Sequence, residues 1–166
     1  LMLTASAIEM YEEALANAVV LSVFIPLIIA CGGNSGAQAS TLVVRALAVG
    51  ELQLRDWLHV LGREVLAGVA LGLLLAALGF SRVFSWEILF GTYGEHASLI
   101  AITVGLSLVG VVTWSTLVGA LLPFLLERFG LDSASASVPL LATVVDVTGL
   151  LIYFNIAQLV LGGAML

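Results

Sequence analysis

Four long apolar runs set the limits on what this chain can fold into: residues 14–31, 64–80, 97–126 and 138–166. At about 1.5 Å of rise per residue, each is of a length to cross the roughly 30 Å hydrocarbon core of a bilayer as a helix. The first run continues through a Gly-rich stretch to about residue 50, and the second extends back on its polar side to about residue 54. Strands of a membrane barrel would alternate polar and apolar residues, and stretches such as 71–78 do not alternate. Composition agrees with membrane helices. Of 166 residues 61% are apolar and 10% charged, with five Arg, no Lys and 11 acids. A soluble domain carries about 25% charged residues, and mean hydropathy here is +1.20. The chain reads as an all-α integral membrane protein. Its formal charge of −6 also lacks the basic surface that nucleic-acid binding requires.

Residues 1–8 form an apolar stub that rises only about 12 Å as helix, too short to span. We expect it to be the end of a helix that begins upstream; a surface-lying first segment is the alternative. Four of the five arginines (Arg45, Arg55, Arg63, Arg128) fall in or beside the connections between runs one and two and between runs three and four. Glu9, Glu12, Glu13, Glu87 and Glu95, with Arg82 alone, fall at the other end. The positive-inside rule makes the arginine-rich end cytoplasmic and places the C-terminus outside, across a plasma (inner) membrane.

Asp146 is the only acid inside a span, and no Arg, Lys or His lies at matching depth in another. A charge there costs several kcal/mol unless it meets water, an ion or a partner, so the choice lies between a protonated carboxyl and an acid lining a wet, cation-attracting path. Thr143 and Thr148 are near enough in sequence to donate hydrogen bonds. Pro26 is followed by Cys31-Gly32-Gly33-Asn34-Ser35-Gly36-Ala37-Gln38, a poor surface for lipid. Such an oxygen-rich, uncharged segment suits a hydrated hard cation, and close helix packing through small residues is the competing explanation. Gly68 and Gly72 form a GxxxG packing face; Gly105, Gly110 and Gly119 read as packing positions, and Pro123 is expected to bend or end its helix. Glu9, Glu12 and Glu13 cluster outside the first span and would concentrate cations at an outer mouth, or simply be solvated.

Enzyme chemistry lacks its parts. An intramembrane aspartyl protease needs two carboxylates, and no span contains His for a hydrolase or a zinc site. His59 and His96 stand 37 residues apart in polar segments, and the lone Cys31 excludes an internal disulfide and a Cys-based metal cluster.

The segment 26–52, with its GGNSGAQASTLVVRALA core, resembles the second transmembrane helix of the MgtE-type magnesium channels and transporters. Leu121-Leu122-Pro123-Phe124-Leu125-Leu126 and the run from Ala142 through Asp146 to Tyr153 resemble that family's fourth and fifth helices, and Arg55-Asp56-Trp57 matches as well. The resemblance covers nearly the whole chain. It implies a five-helix, homodimeric membrane domain whose first helix is largely missing here: helix one ending at 1–8, then helices over 14–50, 54–80, 97–128 and 134–164. It further implies a Mg²⁺ pore lined by the second and fifth helices. Asp146 would be the ion-site residue, with Asn34, Gly32, Gly33, Gly36 and the Ala142 carbonyl around the hydrated ion. Members often carry cytoplasmic N-terminal and CBS domains that regulate the pore. The family pattern often has Asn at the positions held here by Ala37 and Val138. Two Asp146 carboxylates across a two-fold axis would balance one divalent cation. A Mg²⁺/H⁺ or Mg²⁺/Na⁺ coupled carrier and a non-conducting membrane scaffold are the competing readings.

Overall fold

In the computed structural model, which describes residues 2–9 and 19–162, the chain is helical throughout apart from short connections. The elements are α1 (Met2–Glu9), α2 (Ile25–Ala48), α3 (Trp57–Phe90), α4 (Ala97–Arg128) and α5 (Ser133–Leu161). A six-residue 3₁₀ segment at Val19–Phe24 and single 3₁₀ turns at Leu54–Asp56 and Gly94–His96 lead into α2, α3 and α4. Four of these helices are long and apolar enough to cross a membrane.

Local chemistry accounts for the boundaries. Pro26 sits in the first turn of α2, where its missing N–H has no helical partner to lose. Ahead of α3, the Gln53 N–H donates to the Asp56 carboxylate at 2.8 Å and completes a capping box. The Asp132 carboxylate caps α5, accepting from the Ala134 N–H at 2.9 Å and from the Ser135 hydroxyl. Helix α3 runs ten residues beyond the end expected at residue 80. Residues 81–90 contain neither Gly nor Pro, and only Gly91, at φ +59°, turns the chain in a left-handed cap with its N–H on the Glu87 carbonyl. The polarity of Ser81 and Arg82 marks a change of surroundings rather than a helix end. Pro123 likewise does not terminate α4, which continues to Arg128.

Helix α4 is the centre of the packing. Half of its most apolar stretch is buried, against 17% for α3. One flank of α4 meets α3, the other meets both α2 and α5, and α2 and α5 touch each other. The α3–α4 seam is closed by glycines: a Cβ on Gly72 would lie 2.8 Å from the Val109 Cα, and one on Gly68 would strike the Thr116 hydroxyl. Gly119 plays the same part against the Gly36 backbone across the α2–α4 crossing, whereas Gly105 has only an ordinary contact with Ala76, at 3.7 Å. The main core gathers Ile100, Leu108, Leu150, Tyr153 and Phe154 around α4 and α5. Within it, the buried Tyr153 hydroxyl donates to the Leu21 carbonyl at 2.8 Å and ties the turn before α2 to α5.

Candidate ion site between α2 and α5

The two helices that carry the singled-out residues are antiparallel neighbours. A Cβ built on Gly32 would meet Val111 Cγ1 at 2.7 Å and Val145 Cγ1 at 3.4 Å; one on Gly36 would meet the Ser115 carbonyl at 2.8 Å and Leu141 Cδ2 at 3.3 Å. Gly32 thus stands at the level of Val145 and Gly36 at the level of Leu141. Both glycines are buried where α2, α4 and α5 meet, and a side chain at either would push the helices apart.

This register decides which residues share a flank. Successive residues turn by about 100° around a helix. In an antiparallel pair, the residue following each contact position therefore swings to the same side of both helices. Gly33 and Ala37 follow the contact positions on α2; Ala142 and Asp146 follow those on α5. All four border the side of the pair away from α4, where they are at least partly exposed. Gly33 has open space around it, with nothing within 4 Å of a Cβ built there. Asp146 stands thirteen residues into α5, about 20 Å along a 29-residue helix, level with Cys31 and Gly32 in the first third of α2. Among the described residues it has neither a hydrogen-bond nor an ion-pair partner. Thr143 and Thr148 do not supply one: their hydroxyls donate to the Pro139 and Val144 carbonyls at 3.3 and 2.7 Å. Thr148 also accepts from the Trp114 indole N–H at 2.8 Å. The Ala142 carbonyl lies one helical turn before Asp146 and accepts its N–H in the ordinary α-helical pattern, leaving one lone pair free.

Asn34 lies a further 100° or so around α2 from Gly33. The fold of a single chain does not bring it onto the Asp146 flank. It instead lines an open depression of about 560 Å³ with Ala37, Gln38, Thr41 and Leu42. Ala37 belongs to both surfaces, so the polar stripe of α2 adjoins the Asp146 flank there. The implied ion-site residues therefore divide by position: Gly33, Ala142 and Asp146 on the open flank, Asn34 beside it, and Gly32 and Gly36 in the seam behind. Glu12 and Glu13 lie outside the described residues, as does the side chain of Glu9. Cys31 points the other way, toward an apolar cavity with Leu75, Leu78 and Leu108. Among the described residues no three of His, Cys, Asp and Glu converge on one point.

Three serines that the sequence did not single out belong to this region. The hydroxyls of Ser40, Ser115 and Ser137 are buried without a hydrogen-bond partner among the described residues. Ser115 abuts Gly32, its Oγ 2.9 Å from a Cβ built there, and continuing the helix register sets Ser40 opposite Ser137. Their signal was available only as hydroxyl residues inside apolar helices, and small residues of this type also serve plain packing.

The sequence pattern of the MgtE family, described as a divalent cation transporter, matches residues 25–156. The magnesium transporter MgtE of Thermus thermophilus is 44% identical over 160 residues, covering 96% of this chain and 34% of the relative. Those of Enterococcus faecalis and Bacillus subtilis are 34% and 29% identical, over 95% and 94% of this chain and 33% of each relative. The chain belongs to the MgtE family, and with its four apolar helices it is a multi-pass membrane protein. The family is one of transporters rather than enzymes. The chain spans about a third of the length of the curated relatives it matches.

Proposed function

We propose that this chain is a Mg²⁺-conducting membrane domain that works as a homodimer, with its arginine-rich end in the cytoplasm. One observation carries the reading: Asp146 stands mid-span on a flank of α2–α5, partly exposed and without a partner among the described residues. A lone carboxylate facing lipid at that depth costs several kcal/mol. The polar stripe of Asn34, Gln38 and Thr41 on the adjoining face adds to the cost. Pairing this face with its copy around a two-fold axis removes both from lipid and leaves a polar, water-accessible path between the subunits. Two Asp146 carboxylates there would offset one divalent charge. Mg²⁺ sheds its water reluctantly and prefers octahedral oxygen coordination. Carboxylates, the Asn34 amide and the free lone pairs of helix carbonyls would bind its hydration shell and leave the first-shell water in place. No thiolate or imidazole takes part, which sets the site apart from those that favour zinc or copper.

The test is Mg²⁺ flux into proteoliposomes at a clamped membrane potential, wild type beside Asp146→Asn. Conduction predicts uptake that follows the potential and falls at least tenfold in the variant. Equal uptake by both proteins removes Asp146 from the path. Uptake driven by a proton or Na⁺ gradient, and not by the potential alone, replaces the channel with a coupled carrier.

A further inference from the structure

The end of the molecule that carries four of the five arginines also holds a groove outside the α2–α5 region. Leu54, Arg55 and Trp57, at the entry to α3, face Leu121, Phe124, Leu125 and Arg128, at the end of α4, across about 510 Å³. Its wall is apolar. Leu54, Trp57 and Leu125 are exposed, and Phe124 forms a buried floor. Two guanidinium groups stand at its rim, and among the described residues no carboxylate lines it.

The acids next to both arginines in sequence are engaged elsewhere. The Asp56 carboxylate accepts the Gln53 N–H, and the Glu127 carboxylate accepts the Ser133 hydroxyl at 3.1 Å. Among the described residues Arg55 and Arg128 are left without an ion-pair partner. Two unpaired positive charges beside an apolar trough, in a chain of net charge −6, call for an anion with a hydrocarbon body. A small soluble anion would use the arginines but gain nothing from Leu121, Phe124 and Leu125. An uncharged lipid would use only the wall.

We propose that this groove binds one anionic glycerophospholipid. Its phosphate lies between Arg55 and Arg128, an acyl chain runs along Leu121, Phe124 and Leu125, and Trp57 marks the headgroup level. Helix ends with paired arginines over an apolar cleft are the kind of surface on which lipid headgroups are held.

The experiment is native mass spectrometry of the purified protein in detergent with equal amounts of dioleoyl phosphatidylglycerol and dioleoyl phosphatidylcholine. Each arginine near the membrane surface contributes a few-fold to anionic-lipid affinity, so the pair predicts a preference of roughly thirtyfold for phosphatidylglycerol. Arg55→Gln combined with Arg128→Gln brings the ratio close to one. The double Lys variant, which keeps both charges, retains most of the preference, and Arg82→Gln, at the other end, leaves it intact. For the wild type alone, raising NaCl from about 50 to 500 mM erodes the preference through screening. No preference in the wild type overturns the proposal, as does an Arg82→Gln loss equal to that of the double Gln variant. Displacement of the lipid by inorganic phosphate, beyond the effect of NaCl at equal ionic strength, overturns it in favour of a site for soluble anions.

Discussion

Helices α3 and α2 both approach α4 through glycines spaced four apart, yet they leave different surfaces behind. On α3, Gly68 and Gly72 press on α4, and the face turned outward is apolar, with Leu66 73% and Leu74 60% exposed. That face is suited to lipid and needs no further partner. On α2, Gly32 and Gly36 press on α4 and α5, and the outward face carries Asn34, Gln38 and Thr41, all exposed within the span. The packing device is the same in both places. What differs is the chemistry of the side left uncovered, and only the α2–α5 side calls for water, an ion or a second subunit.

The contrast breaks most sharply at Asp146. Its replacement by Asn is expected to cost at least tenfold in Mg²⁺ flux while the purified protein keeps its unfolding midpoint, because among the described residues the carboxylate has no partner to lose; a collapse in stability instead would make Asp146 a structural acid. Next come the glycines. Gly36→Ala sets a methyl 2.8 Å from the Ser115 backbone carbonyl, which cannot move cheaply, and should destabilise by about 1–3 kcal/mol in detergent unfolding. Gly33→Ala, one flank away in open space, should stabilise by about 0.5–1 kcal/mol through helix propensity alone. Similar losses from both variants would mean that the open flank is tightly covered, by the chain itself or by a second copy. Tyr153→Phe removes the hydrogen bond to the Leu21 carbonyl and should cost about 1 kcal/mol, measured in the same assay.

The smallest effect belongs to the α5 cap. The Ser135 hydroxyl and the Ala134 N–H hold the Asp132 carboxyl below the usual carboxylate range. A depressed folded-state value means that this contribution is complete above about pH 4, the unfolded value, and is lost as pH falls through the folded one. Melting curves between about pH 3 and 6 should show a slightly shallower acid slope for Asp132→Asn than for wild type.

Much of this was legible in the residues. The apolar runs located the four long helices, the glycine pairs located the seams, and Asp146 stood out as an acid among apolar neighbours. Other features were not. Residues 81–90 looked like a departure from the membrane, but backbone hydrogen bonding continues a helix until a residue such as Gly91 turns it, whatever the solvent around it. Thr143 and Thr148 lie near enough in sequence to donate to Asp146, but spacing alone left open which way they face. Within a helix the nearer acceptor for a threonine hydroxyl is the carbonyl one turn back, and that is where both are bonded. The serines at positions 40, 115 and 137 could not be told from packing residues, because their importance lies in what fails to meet them.

By itself, then, the chain's composition and spacing determined that it forms membrane helices, where they lie, and which acid stands inside them, because hydrophobic length and the cost of burying charge act on each segment separately. Which residues share a flank was decided only by the tertiary structure. The antiparallel register of α2 and α5 turns Gly33, Ala142 and Asp146 to one side, Gly32 and Gly36 inward and Asn34 away. That outcome depends on how two helices meet, and no local rule along a single helix contains it.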